Sequence, residues 1–404
     1  MTTFLHTADW QLGKPFARIA DDEGRGRVQR ERLDAVRRIG EAVRARDAAF
    51  VLVAGDLFDS ATVKDATIAH ALEAVGSLGV PVYAIPGNHD HGGPDGLWER
   101  PFFRRERERV APDFHLLLER VPLERDDVVI LPCPLLRRHE PDDPTAWLRT
   151  HDFTPHGDRP RVVLAHGSVR SFAPAADGGD GDDLPGQANA IDLDRLPAGE
   201  IDYVALGDWH GFLPLEGGAL AGRACYAGTH ETDRFPREGQ RPGHVACVTA
   251  VRGALPRIEA LATGRLRWMR VAARLGAEGV AGLDRRLREL AGERSGDCLV
   301  DLVLSGDTTL DDRSRLDTLL DDWRARVIRF DLEDDVRVVP SDDEVRALVD
   351  RPSDPILAAV AADLVGRLGA GGEDGGVARE ALRILHGICR EAGAVGGGDA
   401  GGAP

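Results

Sequence analysis

The sequence predicts an α/β fold of layered sheets and helices, and three observations predict it. Five apolar runs rich in β-branched residues read as buried strands: TFLHTA from Thr2, FVLVA from Phe50, VYAIP from Val82, RVVLA from Arg161 and YVAL from Tyr203. Stretches of helical period separate several of these runs, and strand–helix alternation favours a layered α/β architecture. Each run ends in a short polar motif of metal-ligand type, and open α/β sheets bind ligands at the carboxyl ends of their strands.

Taken in order, helices are expected over 28–46, 63–78 and 144–151. In the second of these, Ala66, Ile68, Ala69, Leu72 and Val75 share one apolar face, and Gly79-Val80-Pro81 ends it. Later strands near Cys225-Tyr226 and over 245–251 lack long intervening helices, which suggests a second, more antiparallel sheet and hence a sandwich. Segment 172–189 is rich in Gly, Asp and Pro and has no period, so a flexible acidic loop is expected there. The pattern shifts near Gly264. Strands over 268–272, 298–304 and 327–332 and helices over 279–291 and 311–326 suggest a small α/β module. Helices over 356–368 and 377–391 follow, separated by a Gly-rich stretch over 370–376. The expected organisation is a catalytic domain at 1–264, the α/β module at 265–340, a helical segment at 341–392 and a disordered tail at 393–404.

At 404 residues the chain can bury a full core and hold two or three domains. Its 42% hydrophobic and 29% charged residues place it among ordinary globular proteins. No apolar stretch approaches the ~20 residues of a membrane span, and with a strand expected from Thr2 a signal peptide is not expected. Cys133, Cys225, Cys247, Cys298 and Cys389 are scattered without a CxxC pair, so neither a zinc site nor a disulfide framework is expected, and a cytoplasmic location is. A net charge of −17 opposes a nucleic-acid partner in bulk. Carboxylates in a metal site are offset by their cations, however, and others cluster over 177–183 and 331–335. Arginine is dense at Arg25, Arg27, Arg30 and Arg32 and again at Arg100, Arg104, Arg105, Arg107 and Arg109. Each stretch reads either as a grip on phosphates or as a solvated helix face.

The motifs are Asp9-Trp10-Gln11, Gly55-Asp56-Leu57-Phe58-Asp59, Gly87-Asn88-His89-Asp90, Ala165-His166-Gly167 and Gly207-Asp208-Trp209-His210. Asp, Asn and Gly are ordinary turn residues after strands, so any one motif alone reads as a turn. Five together, carrying His89, His166 and His210, read as a site. Phosphodiester hydrolysis needs a nucleophile at neutral pH and support for charge on the phosphoryl oxygens, and two metal ions about 3.5–4 Å apart supply both. Asp56 is the expected bridge. One ion would take Asp9, Gln11, Asp56 and His210, the other Asp56, Asn88, His166 and Asp208. Imidazole, carboxylate and amide oxygen suit manganese or iron. His89 is the candidate general acid, with Asp90 favouring its proton, and Asp59 is expected to orient a ligand. The remaining histidines lack this context, and His91 is left open.

These motifs resemble those of the calcineurin-like metallophosphoesterase superfamily, and within it the SbcD-type nuclease subunits of DNA repair. The carriers are HTADWQLGKPF from His6, VAGDLFD from Val53, PGNHD from Pro86, LAHGSV from Leu164 and ALGDWHG from Ala205, with YAGTHETDRF from Tyr226 similar to the YPGS-type element. The resemblance covers about residues 4–235. It implies a four-layer α/β sandwich, a small DNA-facing cap domain, C-terminal helices that dock an SMC-like (SbcC-like) ATPase, and a homodimer. Two positions depart from it. The first motif usually reads Asp-x-His and here carries Gln11; the last usually reads Gly-His-x-His and here carries Asp208. Each puts oxygen where an imidazole is usual, one per ion, which shifts the expected cations toward manganese or magnesium.

The leading function is a metal-dependent DNA nuclease working with an ATPase. A phosphoesterase for another substrate is the first alternative; the GDxVDRG and GNHE patterns of the superfamily's protein phosphatases are absent. The second is a non-catalytic scaffold binding the ATPase, motivated by Gln11, Asp208 and the acidic charge.

Overall fold

A computed structural model describes residues 1–94, 96–170, 188–276, 279–368 and 373–396. The chain divides into two compact units, Met1–Leu266 and Arg267–Pro404. The first holds β1 (Thr2–Thr7), α1 (Asp22–Arg46), β2 (Val51–Ala54), α2 (Asp65–Gly76), β3 (Val82–Ile85), α3 (Pro101–Val110), β4 (Phe114–Leu116), β5 (Leu123–Glu124), β6 (Val129–Cys133), β7 (Arg161–His166), β8 (Ser168–Val169), β9 (Ala190–Ile191), β10 (Tyr203–Gly207), β11 (Leu213–Leu215), β12 (Ala224–Tyr226), β13 (His244–Ala250) and β14 (Arg257–Ala262). The second holds β15 (Arg267–Leu275), α4 (Gly279–Ala291), β16 (Cys298–Thr308), α5 (Leu310–Arg326), β17 (Arg329–Val338), α6 (Asp342–Val349), α7 (Pro355–Arg367) and α8 (Glu373–Gly396).

Two six-stranded sheets form the first unit, in the orders β14-β13-β1-β2-β3-β4 and β11-β12-β10-β7-β6-β5. Their central strands are buried on both faces, which is why these read as continuous apolar runs rather than alternating ones. One core lies between the sheets, where Phe4 stacks on Phe50 at 4.9 Å and Leu52, Ile130, Leu164 and Tyr203 join them. A second lies where α1, α2 and α3 cover the first sheet, with Val36, Ile39, Ile68, Leu72 and Phe103 packed on Val51 and Val53. The apolar face of α2 is therefore spent inside its own unit. A third core covers the outer face of the second sheet through Leu148, Phe153, Leu193 and Leu196. The covering elements there are single 3-10 turns, Ala146–Arg149, Thr154–His156 and Leu193–Arg195. The result is a mixed α/β fold built on two packed sheets.

Several elements differ from their expected bounds for identifiable reasons. Helix α1 begins six residues before its first large apolar side chain, because the Asp21 carboxylate caps it by accepting the Gly24 N–H. The helix expected over 144–151 is one 3-10 turn. The Asp143 carboxylate takes the Thr145 N–H and hydroxyl and closes the segment locally. Strand β13 does not join the second sheet. It pairs antiparallel with β1 in the first, with Thr3 opposite Thr249 and their hydroxyls 3.0 Å apart. Only β12 of that pair enters the second sheet, parallel to β10.

In the second unit, β15, β16 and β17 form a parallel sheet in that order, with α4 and α5 closing a core around Val300, Leu302, Leu320 and Trp323. Helix α6 has a full capping box between Ser341 and Glu344, and α7 and α8 share a smaller cluster with Leu310 of α5. The Gly-rich stretch expected over 370–376 runs into α8, which starts at Glu373, and the tail expected from 393 overlaps its end at Gly396. The acidic loop expected over 172–189 lies outside the described residues up to 187, as do 369–372 and 397–404. Among the described residues no helix is long and apolar enough to cross a membrane.

Candidate metal centre

The loops leaving β1 and β2 continue the parallel pairing of their strands. Asp9 N–H bonds Gly55 O at 3.1 Å, Gln11 N–H bonds Asp56 O at 2.8 Å and Leu12 N–H bonds Leu57 O at 2.8 Å. To turn while staying paired, Asp9 takes φ 54°, Gln11 40° and Asp56 56°, and Asp208, after β10, takes 105°. Left-handed backbone at non-glycine residues is uncommon and gathers at functional sites, and four of the seven expected ligands have it. The glycines beside them provide room. A Cβ on Gly55 would lie 2.3 Å from His166 Nδ1, one on Gly87 2.1 Å from Asp56 Oδ1, and one on Gly207 1.9 Å from Ala54 O.

These contacts bring donors together at the strand ends. His166 is fully buried at the end of β7. Its Nδ1 lies 2.8 Å from Ala54 O, and since a carbonyl only accepts, Nδ1 carries a proton and Nε2 faces the site. From Nε2, Asn88 Oδ1 is 2.9 Å away, Asp56 Oδ2 3.7 Å and Asp208 Oδ1 3.9 Å. One ligand atom each of Asp9, Asp56 and His166 lies within 4.8 Å of the others. The Asp9 carboxylate accepts the Asp208 N–H at 3.1 Å, and Asp208 Oδ2 accepts the Ser168 hydroxyl at 2.6 Å. Tyr226 holds the His166 loop by donating to Gly167 O and accepting from Val169 N–H, both at 2.9 Å. Burial lifts the Asp9 carboxyl well above the usual range, with His166 pulling it down and Asp56 and Asp208 pushing it up. For His166, burial acts to lower the pKa, but Asp56, Asp9 and Asp208 outweigh it and raise it to about 9. So many carboxylates around one imidazole create a strong preference for positive charge at this point.

Gln11 and His210 sit differently. Gln11 Oε1 accepts from Lys14 Nζ at 2.9 Å, and the same ammonium is 2.7 Å from Asp233 Oδ2. Asp233 Oδ2 also takes His210 Nδ1 at 3.1 Å, and Arg234 Nη2 lies 3.2 Å from that ring nitrogen. Gln11 Nε2 and His210 Nε2 are 3.5 Å apart. Burial lowers the His210 pKa to about 4 against the pull of Asp233, so the ring is neutral at pH 7. Sequence reasoning does not single out Lys14, Ser168, Tyr226 or Asp233 as site residues. Asp233 lies inside the YAGTHETDRF segment and Lys14 inside HTADWQLGKPF, so each segment signals the neighbourhood without marking the residue.

His89 N–H bonds Asp56 Oδ1 at 3.0 Å, and its Nδ1 donates to the Asp59 carbonyl at 2.8 Å, leaving Nε2 4.0 Å from Asp56 Oδ2. The orienting group from Asp59 is thus its backbone rather than its carboxylate. The expected support of His89 by Asp90 is corrected. The buried Asp90 carboxylate bonds the Gly87 and Phe58 N–H groups at 2.8 and 3.1 Å and so ties the third motif to the second. Burial and then Asp56 raise its pKa to about 7. Of the arginines suggested for phosphate contact, Arg32 is buried and donates to Asp9 O, Trp10 O and Glu231 O beneath the first motif. Arg100 bonds Val63 O and Ala61 O, and Arg25 bonds Ile19 O. Arg30, Arg104 and Arg105 are exposed. A second cluster, Asp311, Glu344 and His386, lies in the other unit. There Glu344 accepts the N–H groups of Leu310, Asp311 and Ser341, the role of a helix cap.

The profile of the calcineurin-like phosphoesterases matches residues 2–212. The uncharacterized metallophosphoesterase YhaO of Bacillus subtilis (strain 168) is 35% identical over 101 residues, 24% of either chain. The SbcD subunit of the nuclease SbcCD from the same organism is 36% identical over 99 residues, 23% of this chain and 22% of the relative. The aligned stretches thus span about a quarter of the length of these relatives. The crystal structure of TT1561 of Thermus thermophilus aligns with a TM-score of 0.38 at 10% identity, over 65% of this chain and 99% of that one.

Proposed function

The chain belongs to the calcineurin-like phosphoesterase family, whose members are metal-using phosphoester hydrolases, and from that premise we propose that it is a metal-dependent DNA nuclease. The observation that carries the reading is the convergence of Asp9, Asp56 and His166 at the strand ends, with Asn88 and Asp208 beside them. Separations of 2.9–3.9 Å between His166 Nε2 and its three oxygen neighbours fit donors that share one cation. Carboxylate, amide oxygen and imidazole together suit manganese, with magnesium next. Asp56, Asn88, His166 and Asp208 are the proposed ligands there, with Asp9 against Asp208, and Gln11 and His210 line the adjoining position. A divalent ion bound there acidifies water and offsets charge on the phosphoryl oxygens.

The protein side of the chemistry falls to His89. With Nδ1 held by Asp59 O, Nε2 is the atom free to meet the phosphate or to hand a proton to the leaving oxygen as the P–O bond breaks. DNA as substrate rests on the similarity to a nuclease subunit and on exposed Arg30, Arg104 and Arg105, whose contacts would position a strand without reading its sequence. The same reading includes cytoplasmic action as a homodimer with an SbcC-like ATPase. Exposed Ile356, Val360, Val377, Ile384 and Ile388 on α7 and α8 are the proposed contact for that partner.

The test is incubation with manganese and end-labelled single- and double-stranded DNA, beside Asp56→Ala and His89→Ala. Degradation by the wild type that both variants lose is the expected result. Hydrolysis of an aryl phosphodiester without cleavage of DNA would move the substrate elsewhere, and inactivity on both would overturn catalysis in favour of a scaffold.

A further inference from the structure

The two halves of the site are not equivalent. Around His166 Nε2 the nearest side-chain atoms are oxygens, and they point inward. Around Gln11 and His210 the nearest charged groups include two cations. Lys14 Nζ sits 2.9 Å from Gln11 Oε1, on the oxygen a metal ion would need, and its other contact, Asp233 Oδ2 at 2.7 Å, locks it there. Arg234 Nη2 is 3.2 and 3.5 Å from the two ring nitrogens of His210. The Lys14 side chain is 21% exposed and that of Asp233 1%, so the ion pair is largely withdrawn from water and is little screened by salt. A divalent ion entering between Gln11 and His210 would find a neutral amide already accepting a hydrogen bond, and would face an ammonium and a guanidinium of its own sign.

We propose that this chain holds one divalent ion per site, at Asp56, Asn88, His166 and Asp208, and that the Lys14 ammonium takes the place of the second ion. The proposal rests on the phosphoesterase reading above. It assigns Lys14 a chemical part: a fixed single positive charge beside the scissile phosphate that can neutralise an oxygen but cannot acidify water. The arrangement follows from Gln11. An imidazole at position 11 would present a ring nitrogen to the cation, whereas the amide oxygen is a hydrogen-bond acceptor within reach of the lysine three residues on.

The experiment loads the full chain with excess manganese, removes free ion by gel filtration, and measures bound metal by elemental analysis and electron paramagnetic resonance. About one ion per chain with the six-line signal of isolated manganese is expected. The double substitution Gln11→His with Lys14→Met is expected to raise retention toward two ions and to add the spin-coupled signature of a manganese pair. Two coupled ions in the wild type overturn the inference and leave the phosphoesterase reading standing. No retained ion in the wild type overturns that reading itself. A folded double variant that stays at one ion also overturns the inference, because Lys14 would not be what excludes the second.

Discussion

Substituting Gly207→Ala should unseat His166 both directly, since a Cβ there would lie 2.8 Å from its Nδ1, and through the carbonyl that holds the ring. Gly207 ends β10, where it faces β2 of the other sheet, and a Cβ there would lie 1.9 Å from the Ala54 carbonyl oxygen. Real Cβ contacts closer than 3.0 Å essentially do not occur, and the obstacle is backbone on a central strand rather than the tip of a flexible side chain. The carbonyl must therefore retreat by about an ångström or the strands must part. That same oxygen accepts from His166 Nδ1 at 2.8 Å, so the movement carries the bond past the ~3.5 Å at which it is lost. Overpacking of this kind costs about 1–3 kcal/mol and the broken bond about 1 more. Loss of the group that fixes a ligand imidazole lowers metal affinity roughly 10–100-fold. Urea unfolding of metal-free protein measures the first effect, and competition with a chromophoric chelator measures the second. Gly199→Ala is the control, since a Cβ at Gly199 meets nothing within 4 Å, and it should stay within about 0.5 kcal/mol of the wild type. Unchanged manganese affinity in a destabilised Gly207→Ala would refute the link from Ala54 to His166, and unchanged stability would refute the close contact itself.

Two further outcomes are expected. Burial lowers the His6 pKa to about 3, so the folded protein holds the ring neutral while the unfolded chain protonates it below about 6.5. Its contribution to stability is whole above that pH and shrinks as pH falls toward 3, by about 2 kcal/mol between pH 6.5 and 5, so urea midpoints should drop over that range and His6→Gln should flatten the slope. Tyr226→Phe strands Gly167 O and Val169 N–H, which both bond its hydroxyl at 2.9 Å, and should cost about 1–3 kcal/mol in urea unfolding; a cost near zero would mean that these groups find other partners.

The sequence reveals the parts of the fold where local pattern and burial coincide. The central strands are buried on both faces and so appear as unbroken apolar runs. Edge strands such as β4, β5 and β11 are short and partly exposed, and no run marks them. β14 is half-buried along most of its length and goes unmarked for the same reason. The placement of β13 in the first sheet cannot be read at all, because strand order is settled by which hydroxyls and side chains meet across 246 residues, as Thr3 and Thr249 do. Helix α3 shows the opposite limit. Its arginines and the Arg100 before it read equally well as a grip on phosphate or as a solvated face, and only the fold shows Arg100 bound to Val63 O and Ala61 O.

The site follows the same division. Its motifs are legible because each puts ligand-type side chains at a strand end, four of the five beside a glycine, where chemistry and geometry share one stretch of chain. The supporting groups come from elsewhere. Arg32 reaches Asp9 and Trp10 from a helix 22 and 23 residues on, and Lys14 meets Asp233 across 219. This is why the two departures from the usual motif look equivalent as sequence, each replacing an imidazole with an oxygen donor. In the fold they are unequal. Asp208 keeps an oxygen 3.9 Å from His166 Nε2 and braces the other through Ser168, so it remains part of the converging set. Gln11 turns its oxygen to Lys14, and a substitution that looks like a change of ligand becomes a change of which cation the position holds.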